Sequence, residues 1–282
     1  MITLEQQRKV IKVDPPKAGY YMLHFDDGGT KLVPRLTTKL GLLDKPALKF
    51  WAANIERDYV IKTANSALCA DSTVHTFEQR LRAMLGEKKA HQLRLKEAGA
   101  IGTGLHLMVQ NSLRQLMGLP IVKKPKESDS ALLAFMGWED WSLSVGLEPT
   151  HVETSVGSEA MDVAGTMDCA GYAFNENMDG RKTHTFFDWK TSGRSQTAPN
   201  GIYPESEIQV CVYRALGIEM GIGDAESWAA VVRLPKSEND PCLKEKEPFD
   251  VLWIDPDRAD YLAKGFLHIG SAYSFMKEAF PK

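Results

Sequence analysis

The chain has 282 residues, of which 43% are hydrophobic and 25% charged, the profile of a folded protein long enough to bury a sizeable core. Lys and Arg number 34 against 37 Asp and Glu, a formal charge of -3, which excludes a protein that coats nucleic acid through bulk positive charge and leaves room only for a local basic groove. The four cysteines, Cys69, Cys169, Cys211 and Cys242, include no CxxC pair, which disfavours a structural zinc finger, and no apolar run approaches a membrane span.

In chain order, residues 19–33 alternate loosely around Asp26-Asp27-Gly28-Gly29 and predict a β-hairpin. Asp44 stands as an N-cap before a helix carrying Leu48, Phe50 and Trp51. Residues 74–97, rich in Lys, Arg, Glu, Leu and Ala, predict a solvent-bordered helix. A more apolar helix follows over 98–117 and ends at Gly118 and Pro120. Lys123-Lys124-Pro125-Lys126 reads as a basic connector, and 131–147, with Trp138 and Trp141, as a further helix.

After Pro149 the texture becomes β-prone, with strands predicted over 151–156, 163–174 and 183–191. A helix over 203–216, strands over 228–234 and 249–254 and a closing helix over 256–278 complete the pattern. The order helix, three strands, helix, strand predicts an α/β core with a helical N-terminal elaboration. The expected division is 1–97 and 98–282.

The strongest chemical signal is Phe186-Phe187-Asp188-Trp189-Lys190-Thr191-Ser192. Residues two apart on a strand share a face, so Asp188 and Lys190 project together and Trp189 points away. An isolated DxK tripeptide would read as a surface ion pair. Here the preceding strand carries Ala164-Gly165-Thr166-Met167-Asp168, and a returning strand would bring Asp168 beside Asp188. Two carboxylates in one site repel unless a cation neutralises them, and hard oxygen donors suit magnesium or manganese. Glu153, on the strand before, is placed to supply a third oxygen.

These residues resemble the PD-(D/E)XK nuclease superfamily, in particular its RecB-like exonuclease branch. Asp168 matches the GxxD element and Asp188-Trp189-Lys190 the (D/E)xK element. Gln209-Val210-Cys211-Val212-Tyr213 is similar to the branch's QxxxY element, and Gly102-Thr103-Gly104-Leu105-His106 to its helical motif ending in histidine. The resemblance covers about residues 98 to 216. More loosely, the segment around Val33-Pro34-Arg35 and the stretch from Leu43 to Trp51 look like the N-terminal region of bacteriophage and prophage nucleases, with a layout similar to mitochondrial genome maintenance exonucleases.

The resemblance implies a nuclease core, a central mixed sheet flanked by helices, acting as a magnesium- or manganese-dependent DNA exonuclease on linear DNA with free ends. Asp168, Asp188, Glu153, His106 and the backbone carbonyl of Trp189 would hold one or two ions. Lys190 would orient the attacking water and offset charge, and Gln209 would position Lys190 or the water. Tyr213, Gln209, Thr191, Ser192 and Arg35 would contact DNA. Recombination, replication or repair in a phage-infected host cytoplasm is the implied setting, with no membrane association and with a single-strand annealing or binding protein as a candidate partner. No iron-sulfur cluster is expected, because Cys242 is the only cysteine after the QxxxY helix. Alternatives are a catalytically silent nucleic-acid-binding module, against which intact Asp168, Asp188 and Lys190 count, and an endonuclease or junction resolvase on the same core. Lys88, Lys89, Arg94 and Lys96 read as a solvated helix face, and Trp138 and Trp141 as core.

Overall fold

The computed structural model describes residues 8–43, 46–68, 74–85, 89–124, 128–191, 202–236, 243 and 249–280. The expected cap at Asp44, Lys88, Ser192, and the cysteines Cys69 and Cys242 lie outside them. The chain forms two compact units, Met1–Leu43 with Gly102–Lys282, and Asp44–Ile101.

The larger unit opens with β1 (Val10–Lys17), β2 (Tyr20–Phe25) and β3 (Thr30–Pro34), an antiparallel sheet in the order β1-β2-β3. The hairpin at Asp26–Gly29 is as the sequence predicts, whereas β1 went unread. Pro15 and Pro16 obscure it, and they are tolerated because β1 is an edge strand whose register slips between Asp14 and Lys17. Val13, Leu23, Phe25 and Val33 pack with Ala164 of the main sheet. That contact places the hairpin with the core, where the expected division at 97/98 grouped it with the helices.

The short helix α1 (Leu36–Leu40) follows. The smaller unit holds α2 (Pro46–Leu68), α3 (Val74–Leu85) and the start of α4 (Ala90–Leu116). Tyr59 Oη donates to the Met84 carbonyl at 3.2 Å. The Glu56 carboxylate accepts from the His91 backbone N–H (3.0 Å) and pairs with its ring (2.7 Å), satisfying a donor at the start of α4. The sequence predicts one helix over 74–97 and another from 98; instead α3 ends at Leu85, just before Gly86, and α4 runs through 97. The glycine was the better stop signal. Lys89, Arg94 and Lys96 are exposed.

The core sheet has the order β4-β5-β6-β7-β8: Glu148–Ser158, Val163–Phe174, Lys182–Lys190, Trp228–Arg233 and Asp250–Ile254. Only β6 and β7 are parallel, joined by the crossover helix α6 (Pro204–Glu219), so the sheet is mixed. Helix α5 (Asp129–Ser144) precedes it and α7 (Pro256–Ala279) closes the chain. Phe186 and Val231 pack with α6 and α7 on one face. Phe187, Trp189 and Val232 pack with Leu105, Trp138 and Trp141 of α4 and α5 on the other. The two expected core tryptophans are therefore core: Trp141 meets Trp189 edge-on at 5.2 Å. The fold is α/β with helices on both faces. Among the described residues no helix is long and apolar enough to cross a membrane.

Two strands change face at one rung. Met167 packs on the α6 side and Cys169 on the α4/α5 side, although residues two apart in a regular strand share a face. Across from Asp168, between the paired positions Val152/Cys169 and Thr154/Met167, stands Glu153 with φ of 47°. This left-handed conformation costs a non-glycine residue about 1–2 kcal/mol, and here it interrupts a strand.

Gly165 makes room for α6. A Cβ there would lie 2.8 Å from the Tyr213 hydroxyl and 3.0 Å from Cζ, and Tyr213 is only 4% exposed, so the ring has nowhere to go. Gly165→Ala is expected to destabilise the protein by about 1–3 kcal/mol, and adding Tyr213→Leu to recover part of the loss. A thermal melt of both variants checks this; an unchanged midpoint for the single variant would contradict the packing.

Candidate metal centre

The face change at Glu153 and Asp168 assembles a cluster of donors. His106, Glu153 and Asp168 bring ligand atoms within 4.8 Å of one another. His106 Nδ1 lies 3.3 Å from Asp168 Oδ1 and 3.8 Å from Glu153 Oε1. The other ring nitrogen, Nε2, faces the Trp189 carbonyl oxygen at 3.2 Å. Asp168 Oδ2 accepts the Trp189 backbone N–H at 2.8 Å, tying β5 to β6 beside the DxK element. Side-chain exposures of 31% for His106 and 26% for Glu153 leave the cluster open to small solutes.

Asp188 stands deeper and is not one of the three clustered donors. Its carboxylate is fully buried, ion-paired through Oδ2 with Lys190 and accepting from Gln209 Nε2 at Oδ1 (3.1 Å). A buried carboxylate is tolerated only when so partnered. Even so, burial pushes Asp188 up to about 6, the Lys190 charge resisting and the Asp168 charge adding to the rise. Glu153 is likewise raised, by burial and by Asp168, against the pull of the neighbouring His106. Burial acts to raise Asp168 too, but the charge and hydrogen bond of His106, then Lys190 and the Trp189 N–H, bring it below the ordinary carboxylate range.

Burial alone would lower His106; the charge and close approach of Asp168, then the nearby Glu153 carboxylate, overcome it and hold the ring up to about 10. The protonated ring is therefore favoured beside Asp168 and Glu153. A folded-state value above the unfolded one, roughly 6.5, means the His106 contribution to stability is complete below that pH and is lost as pH rises through about 10. In EDTA the melting temperature of the parent is expected to fall between pH 7 and 10 more than that of His106→Gln. Parallel curves would contradict the pairing.

The remaining expected residues are placed as follows. Gln209 and Tyr213 share one stripe of α6, and Gln209 holds Asp188. Tyr213 is buried against Gly165, raised well above the usual phenol range by burial and by the Asp188 and Asp168 charges, and has no surface to offer DNA in this conformation. Its burial makes it a support for the helix rather than the expected strand contact. Thr191 is half-buried at the end of β6, where a Cβ on Gly102 of α4 would stand 3.4 Å from its Oγ1. Arg35 bridges to Ala164 of β5, and its Nε is buried without a hydrogen-bond partner among the described residues. Cys169 and Cys211 are buried free thiols, both raised chiefly by burial.

Sequence reasoning passed over Glu205. It lies one helical turn before Gln209, and its charge acts on Lys190. The i, i+4, i+8 spacing Glu205, Gln209, Tyr213 was the available signal. Compared with protein-family models and with curated proteins, the chain matches none, so the chemistry of the site follows from its own residues.

Proposed function

We propose that the protein is a divalent-metal-dependent deoxyribonuclease of the PD-(D/E)XK type that degrades DNA from free ends. The observation that carries the reading is the cluster of His106, Glu153 and Asp168 against the Trp189 carbonyl, with Asp188 and Lys190 on the adjoining strand.

The donor set fits magnesium or manganese. Ligands on opposite sides of a magnesium ion are about 4.2 Å apart, so donors already within 4.8 Å need little movement. Carboxylates and a carbonyl are the hard oxygens such ions select, and they outnumber the single imidazole. Glu153, Asp168, Asp188, the Trp189 carbonyl and His106 would hold the metal, which when bound lowers the pKa of a water and screens phosphate charge.

The protein's own groups do the rest. Lys190 carries an ammonium that cannot ligate a cation, so its use is toward the anionic phosphate or the attacking water. Burial opposes that charge, but Asp188 and Asp168 overcome it and keep the ammonium favoured. Gln209 fixes the Asp188 carboxylate by donating to Oδ1, leaving Oδ2 to exchange partners. Glu153, held in a strained conformation, turns its carboxylate toward His106.

Digestion of end-labelled single strands, linear duplex and covalently closed circles in magnesium, manganese or EDTA tests the proposal. Linear DNA should be degraded with either metal, circles should survive, and EDTA should stop the reaction. Cut circles would make the enzyme an endonuclease, and intact DNA throughout would favour a binding module.

A further inference from the structure

We propose that Glu205 is a positioning residue that holds the Lys190 side chain once Asp188 and Asp168 turn their oxygens to a divalent cation. The inference rests on the metal-nuclease reading of the site and extends it to a residue outside the motif.

The placement follows from the crossover. Because β7 runs parallel to β6, the helix between them, α6, runs back against both, and its first turn stands beside the C-terminal end of β6. Gln209 is anchored on Asp188 at 3.1 Å, which sets the register between helix and strand. From there, one helical turn toward the start of α6 rises about 5.4 Å, and two residues along β6 advance about 6.6 Å. The two steps are nearly equal and in the same direction, so Glu205 comes level with Lys190, as Gln209 does with Asp188. Tyr213, one turn the other way, meets Gly165 of β5, so the whole stripe faces the sheet.

Asp188, Asp168 and Glu205 all favour the Lys190 ammonium, and in the metal-free protein the direct partner is Asp188. Asp188 and Asp168 are donors to the cation; Glu205 is outside the cluster of His106, Glu153 and Asp168. A carboxylate bound to a divalent ion has little charge left for a neighbouring ammonium. Lys190 must then leave Asp188, and Glu205 is the carboxylate on the facing helix to which it can turn while remaining beside the phosphate.

A double-mutant cycle tests this. The parent, Glu205→Gln, Lys190→Met and the double variant are melted in EDTA and in magnesium chloride. In EDTA, where Asp188 is the direct partner, the departure from additivity should be small; in magnesium it should grow by about 2–4 °C, the shift expected for a coupling of about 1 kcal/mol in a chain of this size. Should Lys190→Met not fold, Lys190→Arg replaces it, and the coupling to Glu205→Gln should again grow with magnesium.

Single-turnover cleavage supplies the second readout. Glu205→Gln should slow it by about 10-fold, the lower end of what loss of a partner behind the metal-binding groups costs, with magnesium and DNA affinities at parental levels, and Glu205→Asp should recover part of the rate. Additivity in both conditions would overturn the proposal, as would a loss of magnesium affinity in Glu205→Gln, which would make Glu205 a ligand. A parent that cuts no DNA yet shows the magnesium-dependent coupling would sink the nuclease reading and leave Glu205 in its assigned place; a parent whose melt does not respond to magnesium would overturn both.

Discussion

Asp168→Asn is expected to abolish measurable magnesium or manganese binding and to lower DNA cleavage by about a thousandfold or more, the upper end of what loss of one electrostatic contact costs. Asp168 is the hinge of the site. One oxygen faces His106 at 3.3 Å and the other accepts the Trp189 N–H at 2.8 Å, so a single carboxylate orders β5, β6 and α4 around the donor cluster. Asparagine keeps an oxygen for the Trp189 N–H and therefore the local fold, while removing the charge that a cation needs. Changes one shell further from a metal already reduce affinity by about 10- to 100-fold, so loss of a direct donor should exceed that. Calorimetric titration with manganese and a thermal melt on the same preparation decide the matter. Parental affinity in a normally folded variant would move the metal elsewhere.

Lys190→Ala separates chemistry from binding. The structure makes Lys190 the ion-pair partner of a fully buried carboxylate, so its removal leaves Asp188 uncompensated and should raise that group further from about 6. In EDTA the variant is expected to melt below the parent; with saturating magnesium much of the deficit should disappear, because the cation supplies the missing charge. Cleavage should not recover with it. An interaction that strengthens in the transition state affects rate more than affinity, and a loss of about 100-fold or more in single-turnover cleavage is expected with DNA binding in calcium little changed. A variant that melts normally in magnesium and cuts at the parental rate would rule out a catalytic lysine.

Much of the architecture was legible because it depends on local pattern. Loose alternation around a turn signal located the hairpin, β-prone runs located the strands at 163–174 and 183–191, and the helices predicted over 203–216 and 256–278 correspond to α6 and α7. The DxK spacing put Asp188 and Lys190 on one face whatever the tertiary context, and the i, i+4 spacing did the same for Gln209 and Tyr213. Strand β1 was hidden by its two prolines, and the helix boundary near residue 86 by a charged stretch that continues across it.

Other properties depend on which surfaces meet, and only the tertiary structure decided them. The face change at Asp168 and Glu153 cannot be read from alternation, because a single left-handed residue reverses the pattern without altering the composition. Whether Tyr213 faces solvent or core depends on the absence of a side chain at Gly165, which lies on another element. Glu205 became relevant once the Gln209–Asp188 hydrogen bond fixed α6 against β6 and brought the Glu205 charge to act on Lys190. Residue type and spacing determined which chemical groups this protein could use; the packing of α4 and α6 against the sheet determined which of them share a site, since burial and charge act over distances that sequence separation does not measure.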